Sequence, residues 1–319
     1  MEPQKESNPN YLPYPPQSTD DEIDLRELFN ALWKGKWIII VTTFVFAVGS
    51  VLYALSLPNI YKSDALLAPT ESSSGGGLTQ MAGQLGGLAA LAGVNLGSSE
   101  STQADLAVQI MKSRQFVNLF IKRHNLLVPL MAVKDWDLQS NKLILDAKIY
   151  DSNTEEWLRQ ASGLRHSKPS AQEAFEVFSK EVFNITKDKD SGLYTISVKH
   201  YSPYIAQQWV SWLVEDINSV MRERTIKEAS QNLKYLTKQL EKTPVADMQS
   251  AFYKLIEEQT KSLMLAEVQD EFTFKVIDPA LAPELRFSPN RTMICLLGLF
   301  LGSIFGIVIT LFLFFFKDK

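Results

Sequence analysis

The residue types that most often carry catalysis or bind metals are sparse in this chain. Its three histidines, His124, His166 and His200, lie far apart in sequence, and none stands in an HExxH or similar frame. The single cysteine, Cys295, excludes an intramolecular disulfide and any metal site built on several cysteines. We therefore interpret the histidines as ordinary surface or core residues, and we predict no metal site.

Two further patterns resemble catalytic motifs only superficially. Asp188 and Asp190 form a close pair of carboxylates, as a glycan-cleaving enzyme would need, but they fall in a predicted turn that they are expected to shape. The stretch 72–99 contains Gly75–Gly77 but lacks the lysine and the preceding strand of a phosphate-binding loop. No hydrolase elbow or dinucleotide fingerprint occurs. The sequence thus predicts no catalytic residue and no cofactor.

Two long apolar segments are the strongest structural signals in the sequence. Trp37–Leu57 and Met293–Phe316 each carry roughly 20 residues without a charge, which is the length that spans the hydrocarbon of a bilayer. Buried helices of a soluble domain are the alternative for both, but such helices are usually shorter and keep a polar face. A signal peptide is the alternative for the first, but this segment follows 36 residues of acidic and Pro-rich sequence. We predict two transmembrane helices, at 37–57 and 293–316.

Basic residues beside the first span predict the orientation. Arg26, Lys34 and Lys36 precede it, whereas mainly Lys62 follows it, and short segments rich in Lys and Arg stay in the cytoplasm. The second span is ambiguous because basic residues flank both of its ends. We therefore expect both termini to lie in the cytoplasm and residues 58–292 to lie on the other side of the membrane.

The N-terminal region divides in two. Residues 1–19 contain five prolines among polar residues, a composition that is typical of a disordered tail. Residues 20–36 place apolar side chains at helical spacing behind an acidic start, which predicts an amphipathic segment. This segment is either a plain extension of the first span or an interfacial helix with its own role.

Alternating and helical patterns between the spans predict a mixed domain at 58–292. The predicted strands are Tyr61–Leu67, two strands joined by the turn 188–192, and one around Phe272–Val276. Helices are predicted over Asp105–His124 and Ser170–Lys180. The Gly-rich stretch 72–99 also carries leucines at steps of three and four, so it forms either a short helix against the membrane or a neighbouring subunit, or a mobile loop.

A longer helix is predicted over about 204–241. Its apolar residues alternate between steps of three and four, as in a coiled-coil seam, with a phase break between Val220 and Ile226. We expect the part before the break to pack on the domain and the later part on another helix. Lys242–Pro244 should end the helix, and a second seam follows, so 204–268 is predicted to be a helical hairpin that either projects into solvent or lies flat on the core.

The second span carries a doubled G-x-x-x-G pattern. Gly298, Gly302 and Gly306 lie four residues apart on one helix face, where the absence of side chains lets two backbones approach closely. We predict that this face packs against a helix. Our hypothesis is that it brings subunits, and a partner protein in the membrane, to close range.

A Pro-rich segment leads into the second span. Pro279, Pro283 and Pro289 fix extended backbone, and Arg291 follows at the predicted membrane boundary. These residues predict an extended approach of the chain to the membrane.

Taken together, these features resemble the Wzz-type chain-length determinant family of polysaccharide co-polymerases. The resemblance rests on Asp24–Leu28 before the first span, the Tyr61 strand, the Gly/Leu-rich stretch, the long helix, Ser288–Arg291 and the Gly-rich second span. It implies an α+β membrane protein in which two transmembrane helices flank a periplasmic α/β base domain with a long projecting helical hairpin.

The resemblance also implies partners and a role. The implied assembly is a ring-shaped homo-oligomer that works with a membrane polysaccharide polymerase on lipid-linked glycan, specifically undecaprenyl-linked glycan. The implied role is non-enzymatic control of the chain length of O-antigen lipopolysaccharide. Besides these partners we expect membrane lipid, and no nucleic acid.

Three other functions are alternatives to control of O-antigen chain length. A co-polymerase for exopolysaccharide or capsule export, without a fused kinase, keeps the family but changes the pathway. Relatives fused to a tyrosine autokinase carry a Walker loop after the second span, whereas only the cytoplasmic end 317–319 follows here, so no kinase activity is expected. A sensory receptor would need an output domain in the same place. A periplasmic glycan-cleaving enzyme would need paired carboxylates in a cleft.

Overall fold

The computed structural model describes residues 32–70 and 103–317. These residues fall into two compact units, one formed by the residues up to Ser56 and those from Asn290 onwards, the other by Leu57–Pro289. The predictions for residues 1–19, for most of 20–36 and for 72–99 lie outside the described residues.

In chain order, the helices and strands are α1 (Lys36–Ser56), β1 (Tyr61–Pro69), α2 (Gln103–Met111), α3 (Arg114–Arg123), α4 (Leu127–Met131), β2 (Val133–Asp137), β3 (Lys142–Leu145), β4 (Tyr150–Asp151), β5 (Glu156–Trp157), α5 (Ala171–Val177), β6 (Phe183–Lys187), β7 (Tyr194–His200), α6 (Pro203–Lys242), α7 (Ala246–Val268), β8 (Phe274–Asp278) and α8 (Arg291–Lys317). The chain thus combines helices and strands, as predicted.

The first unit is the helix pair α1 and α8. Both predicted apolar segments are helical, and α8 begins two residues before the predicted span. An apolar segment favours a helix because the helix satisfies all of its backbone hydrogen bonds internally. Large apolar side chains such as Phe44 and Phe300 are exposed over most of both helices. Both helices are long and apolar enough to cross a membrane.

The second unit is built on a four-stranded antiparallel sheet in the order β6-β7-β1-β8. Strand β1 pairs with β7 from Tyr61 opposite His200 to Leu67 opposite Tyr194. Its other edge pairs with β8 only from Leu66 to Pro69, with a shift of register between Leu66 and Leu67. The outer strands are β6 and β8, and β1 pairs with two strands that are distant from it in the chain.

One face of this sheet carries the core. Apolar side chains of β1 and β7 alternate toward the first half of α6, with Trp209, Leu213 and Ile217 buried against them. Phe120 of α3 and Phe178, at the end of α5, complete this layer with ring centroids 5.6 Å apart. Burying aromatic side chains of this size supplies much of the hydrophobic stabilisation of a small domain.

Helices α6 and α7 form an antiparallel pair. Helix α6 runs over 40 residues, or ~60 Å at the usual rise, and begins at Pro203 behind the N-cap Ser202. Cross-contacts such as Asn232 to Gln259 set the pairing. Within these two fully described helices, burial beyond Met221 is limited to Ala229 and Ala266. The early part of α6 thus packs on the sheet and the later part on α7, as the phase break predicts.

Several boundaries differ from prediction. The single helix expected over Asp105–His124 is two helices, because the Ser113 side chain accepts the Phe116 backbone N–H and begins a new helix. The helix expected to reach Lys180 ends at Val177 and continues as a π-helical turn, Phe178–Val182. Strand β8 begins at Phe274 instead of Phe272. The two small hairpins β2–β3 and β4–β5 were not predicted.

Candidate functional site: the glycine seam and the return segment

Gly298, Gly302 and Gly306, which we call the glycine seam, lie against the first apolar helix. A Cβ added to Gly302 would stand 2.7 Å from the Phe46 Cβ and 3.0 Å from the Thr43 Cα. One added to Gly306 would stand 2.9 Å from the Ile39 Cα. Such approaches are closer than any side chain allows, so these positions admit glycine alone without a shift of the helices.

The polar groups of this interface are satisfied within their own helices. Thr42 donates its hydroxyl to the carbonyls of Ile38 and Ile39, and Ser50 donates to Ala47. On α8, the buried Thr310 donates to the Gly306 carbonyl at 2.8 Å. The oxygens still face the glycines, since a Cβ added at Gly306 would meet the Thr42 hydroxyl and one added at Gly298 would meet the Ser50 hydroxyl.

Gly35 also lies at a close contact with α8, although no motif in the sequence marks it. A Cβ at Gly35 would overlap the Thr310 side chain, so Gly35 belongs to the same line of close approach. It stands alone between Lys34 and Lys36, and only the pairing of the helices shows its role. Gly49, by contrast, has open space where its Cβ would be.

This geometry changes the hypothesis about what the glycine seam contacts. The sequence-based hypothesis assigns the seam to a neighbouring subunit or a polymerase. In the structure the seam is occupied by α1 of the same chain. The difference arises because sequence spacing identifies a close-packing face but says nothing about which helix fills it.

A second feature is the return segment, residues 279–289, which contains Pro279, Pro283 and Pro289. It runs along β1 beyond the point where β8 stops pairing. Ile60 and Ser288 form a β-bridge, with the Phe287 N–H donating to the Ile60 carbonyl at 2.8 Å. Arg291 is the first residue of α8.

Side chains fix the rest of the return segment. The Ser63 hydroxyl donates to the Leu281 carbonyl at 2.7 Å, and the Gln207 amide donates to the Ala280 carbonyl at 3.0 Å. Prolines suit this place, since a proline lacks the N–H that a regular strand would have to pair. The predicted extended segment is thus bound along its length to the sheet.

Of the three histidines, His124 makes contacts that join two helices. Its Nε2 lies 3.0 Å from the Asp216 carboxylate, which also accepts a hydrogen bond from Arg123 at 2.7 Å. Its ring stacks on Trp212 with centroids 4.2 Å apart. The three polar groups therefore tie the end of α3 to α6.

His200 is a core residue. Its Nδ1 accepts the Ser202 backbone N–H, and its Nε2 lies 3.0 Å from the Pro129 carbonyl and donates to it. Burial lowers the pKa of His200 to about 4, although both backbone hydrogen bonds oppose that effect. His200 is therefore neutral at physiological pH. The third histidine, His166, is exposed.

The paired carboxylates shape a turn, as predicted. Asp188 accepts hydrogen bonds from the Ser191 hydroxyl and from the Asp190 backbone N–H. The Ser191 hydroxyl, followed by the Asp190 N–H, holds the pKa of Asp188 below its usual value. A carboxyl group with a lowered pKa has already lost its proton near neutral pH, so it is poorly suited to act as a general acid. Among residues 32–70 and 103–317, no three His, Cys, Asp or Glu side chains converge on a possible metal position.

Comparison with known proteins matches one part of the chain to a family. Residues 21–124 match the model of the family described as Wzz, chain length determinant protein, which confirms the predicted resemblance over those residues. No curated protein sequence matches the chain.

Two solved structures were compared as well. A full-length bacterial polysaccharide co-polymerase is 15% identical with a TM-score of 0.38, covering 93% of this chain and 99% of that one. A fragment of WzzB, a polysaccharide co-polymerase from Salmonella Typhimurium, is 13% identical with a TM-score of 0.28, covering 72% of this chain and 100% of the fragment.

Proposed function

We propose that this chain, which matches the Wzz chain length determinant family over residues 21–124, regulates the chain length of O-antigen lipopolysaccharide without catalysing a reaction. It acts with a membrane polysaccharide polymerase on undecaprenyl-linked glycan. The family match is the observation that carries this proposal. The two apolar helices that flank a mixed α/β unit support it.

The proposed location is the bacterial inner membrane, with two passes, cytoplasmic termini and residues 58–292 in the periplasm. The start of α1 supports this orientation. Trp33 and Trp37 are exposed there, beside Lys34 and Lys36, and the Lys36 ammonium lies 5.1 Å from the Trp33 ring. Tryptophan and lysine are enriched together at membrane–water interfaces, and lysine favours the cytoplasmic side.

A non-enzymatic role fits the polar groups of the periplasmic unit. The acidic and basic side chains described above are engaged in structure: Asp216 joins two helices, and Asp188 shapes a turn. His200 is buried and hydrogen-bonded at both ring nitrogens. Length control then arises from how the protein positions the polymerase and the growing glycan, with the bond-forming chemistry left to the polymerase.

The helical hairpin α6–α7 is the proposed contact surface for other copies of the chain in a ring. It carries several large apolar side chains that are exposed in a single copy, among them Tyr235, Tyr253, Met264 and Val268. Exposed apolar side chains on an extended helix pair are typical of assembly surfaces. Helices α1 and α8, joined through the glycine seam, form the membrane anchor of each subunit.

Deletion of the gene, followed by gel analysis of the lipopolysaccharide, tests this proposal. We expect O-antigen polymer still to be made, since polymerisation belongs to another protein, but with a broad length distribution that lacks its preferred mode. Supplying the wild-type chain should restore the mode. Complete loss of polymer would contradict a regulatory role. An unchanged lipopolysaccharide with altered exopolysaccharide or capsule would transfer the function to those pathways.

A further inference from the structure

Two lysines occupy directly opposite positions on the exposed face of the sheet. Lys62 of β1 and Lys199 of β7 are register partners in the antiparallel ladder. Like charges at such positions repel each other. Among the described residues neither ammonium group has a carboxylate within ion-pair or hydrogen-bond distance. The next outward-facing residue of β1, the exposed Asp64, lies opposite Ser197.

The return segment places an aromatic ring between the two cations. The Phe287 ring centroid lies 5.7 Å from the Lys62 Nζ and 5.1 Å from the Lys199 Nζ. Its backbone N–H donates to the Ile60 carbonyl, so the main chain at Phe287 is held at this place. A ring quadrupole attracts cations but carries no net charge. Both ammonium groups therefore lie close to one ring that does not neutralise their positive charge.

Exposed apolar side chains stand beside this positive charge. Leu281 and Leu285 are 67% and 84% exposed, and Phe287 is 54% exposed, although all three belong to the return segment. Their neighbours along the chain are the two apolar helices: Lys62 comes six residues after Ser56, and Phe287 four residues before Arg291. Six residues reach ~20 Å at most, so the chain limits the distance between Lys62 and the end of α1 to about that length.

We propose that Lys62, Lys199 and Phe287 form a binding site for the phosphate of an anionic phospholipid headgroup on the periplasmic membrane surface. The two ammonium groups pair with the phosphate. The exposed leucines and the phenylalanine enter the boundary between headgroups and acyl chains, as apolar side chains of interfacial proteins do. This inference goes beyond length regulation, and it rests only on the proposed membrane location.

The test measures lipid retained by the full chain. The protein is purified in mild detergent, phosphatidylglycerol or phosphatidylcholine is added, and bound lipid is counted by native mass spectrometry. The variant Lys62→Gln/Lys199→Gln removes both charges. Lys62→Arg/Lys199→Arg keeps them, and Lys234→Gln/Lys238→Gln removes two lysine charges from the hairpin as a matched control. Thermal unfolding of each variant is recorded in parallel.

We expect the wild type, the arginine variant and the hairpin control to bind phosphatidylglycerol equally. The Lys62→Gln/Lys199→Gln variant should lose roughly 30-fold in affinity, since each lysine near an anionic membrane surface contributes about fivefold. It should unfold no earlier than the wild type, because its change removes a repulsion. Equal phosphatidylglycerol binding by this variant would overturn the proposal. Wild-type protein that retains phosphatidylcholine as well as it retains phosphatidylglycerol would also overturn it. So would wild-type protein that binds inorganic pyrophosphate but not phosphatidylglycerol.

Discussion

Asn218 of α6 binds the backbone of Phe274 at the start of β8 through both ends of its side-chain amide. Its Nδ2 donates to the Phe274 carbonyl, and its Oδ1 accepts the Phe274 N–H, each at 2.9 Å. The same oxygen accepts the Thr273 N–H. The amide thus supplies to the beginning of β8 the hydrogen bonds that a neighbouring strand would supply. It also connects the long helix to the last strand of the sheet.

Replacing Asn218 by alanine should therefore destabilise the periplasmic unit. The change leaves two backbone N–H groups and a carbonyl buried without partners, at a cost of roughly 3 kcal/mol in the free energy of unfolding. Urea unfolding of the full chain in detergent, followed by tryptophan fluorescence, measures this cost. The matched control is Asn232→Ala on the same helix, whose exposed amide contacts Gln259 and should cost about 0.5 kcal/mol or less. Equal costs for the two variants would contradict the role of Asn218.

Two glycine-to-alanine substitutions are expected to change the stability of the protein in opposite directions. Gly49→Ala meets open space and should be neutral or slightly stabilising, because alanine favours a helix over glycine by ~1 kcal/mol. Gly302→Ala drives a methyl group against Phe46 and Thr43, and should cost roughly 1–3 kcal/mol. Thermal unfolding in mild detergent, followed by helical circular dichroism, compares them. Equal shifts would show that α1 and α8 do not pack through Gly302.

The glycine seam also bears on length control. The double variant Gly302→Leu/Gly306→Leu keeps the span apolar but separates α8 from α1, so we expect polymer to be made without its preferred length. Leu299→Ile, on the exposed face of α8, is the control and should leave the distribution unchanged. A wild-type distribution from the double variant, expressed at the normal level, would mean that the pairing of the two helices plays no part in length control.

His200 predicts a pH dependence of stability. Its pKa is about 4 in the folded protein and near 6.5 in the unfolded chain, so between these values the unfolded chain binds a proton that the folded one does not. Stability should consequently fall as the pH decreases from 6.5 to 4, by roughly 3 kcal/mol for this group, and level off below. His200→Gln should weaken that dependence. The exposed His166→Gln is the control, and unfolding of His200→Gln with the wild-type slope would refute the assignment.

Fusions to alkaline phosphatase check the proposed orientation. The enzyme folds only in the periplasm, so a fusion after Asn153 should be active, whereas one after Lys319 should be inactive. Arg26, Lys34 and Lys36 are the physical reason, since they retain the start of the chain in the cytoplasm. Strong activity from the fusion at Lys319 would reverse the orientation.

The regular elements followed from periodicity. Helix α6 and the hairpin β6–β7 have repeating apolar patterns, and both were predicted within a few residues. Strand β2 was missed because Lys134, Asp135 and Asp137 interrupt any alternation. The break between α2 and α3 was missed because the apolar pattern continues through Ser113, and only the cap of that serine separates the helices.

The glycine seam and the pair Lys62 and Lys199 could be predicted from the sequence only in part. The spacing of Gly298, Gly302 and Gly306 is visible in the sequence, but their partner helix presents threonine, serine and phenylalanine, which form no recognisable motif. The convergence of Lys62 and Lys199 depends on the register between strands that are far apart in the chain. Such register is decided by the packing of the whole sheet, and local patterns do not contain it.

The position of β1 has a consequence for biosynthesis. This strand is made early, yet the hydroxyl of its Ser63 bonds to Leu281, 218 residues later. At typical rates of translation, roughly 10 to 40 seconds pass before that partner emerges from the ribosome. Both edges of β1 are unpaired until β7 is made, and the edge that later pairs with β8 stays unpaired until the end of this interval. An unpaired strand edge is a template for association with other chains. The α/β unit is therefore expected to fold only after its synthesis is nearly complete, and to depend on chaperones that shield β1 until then.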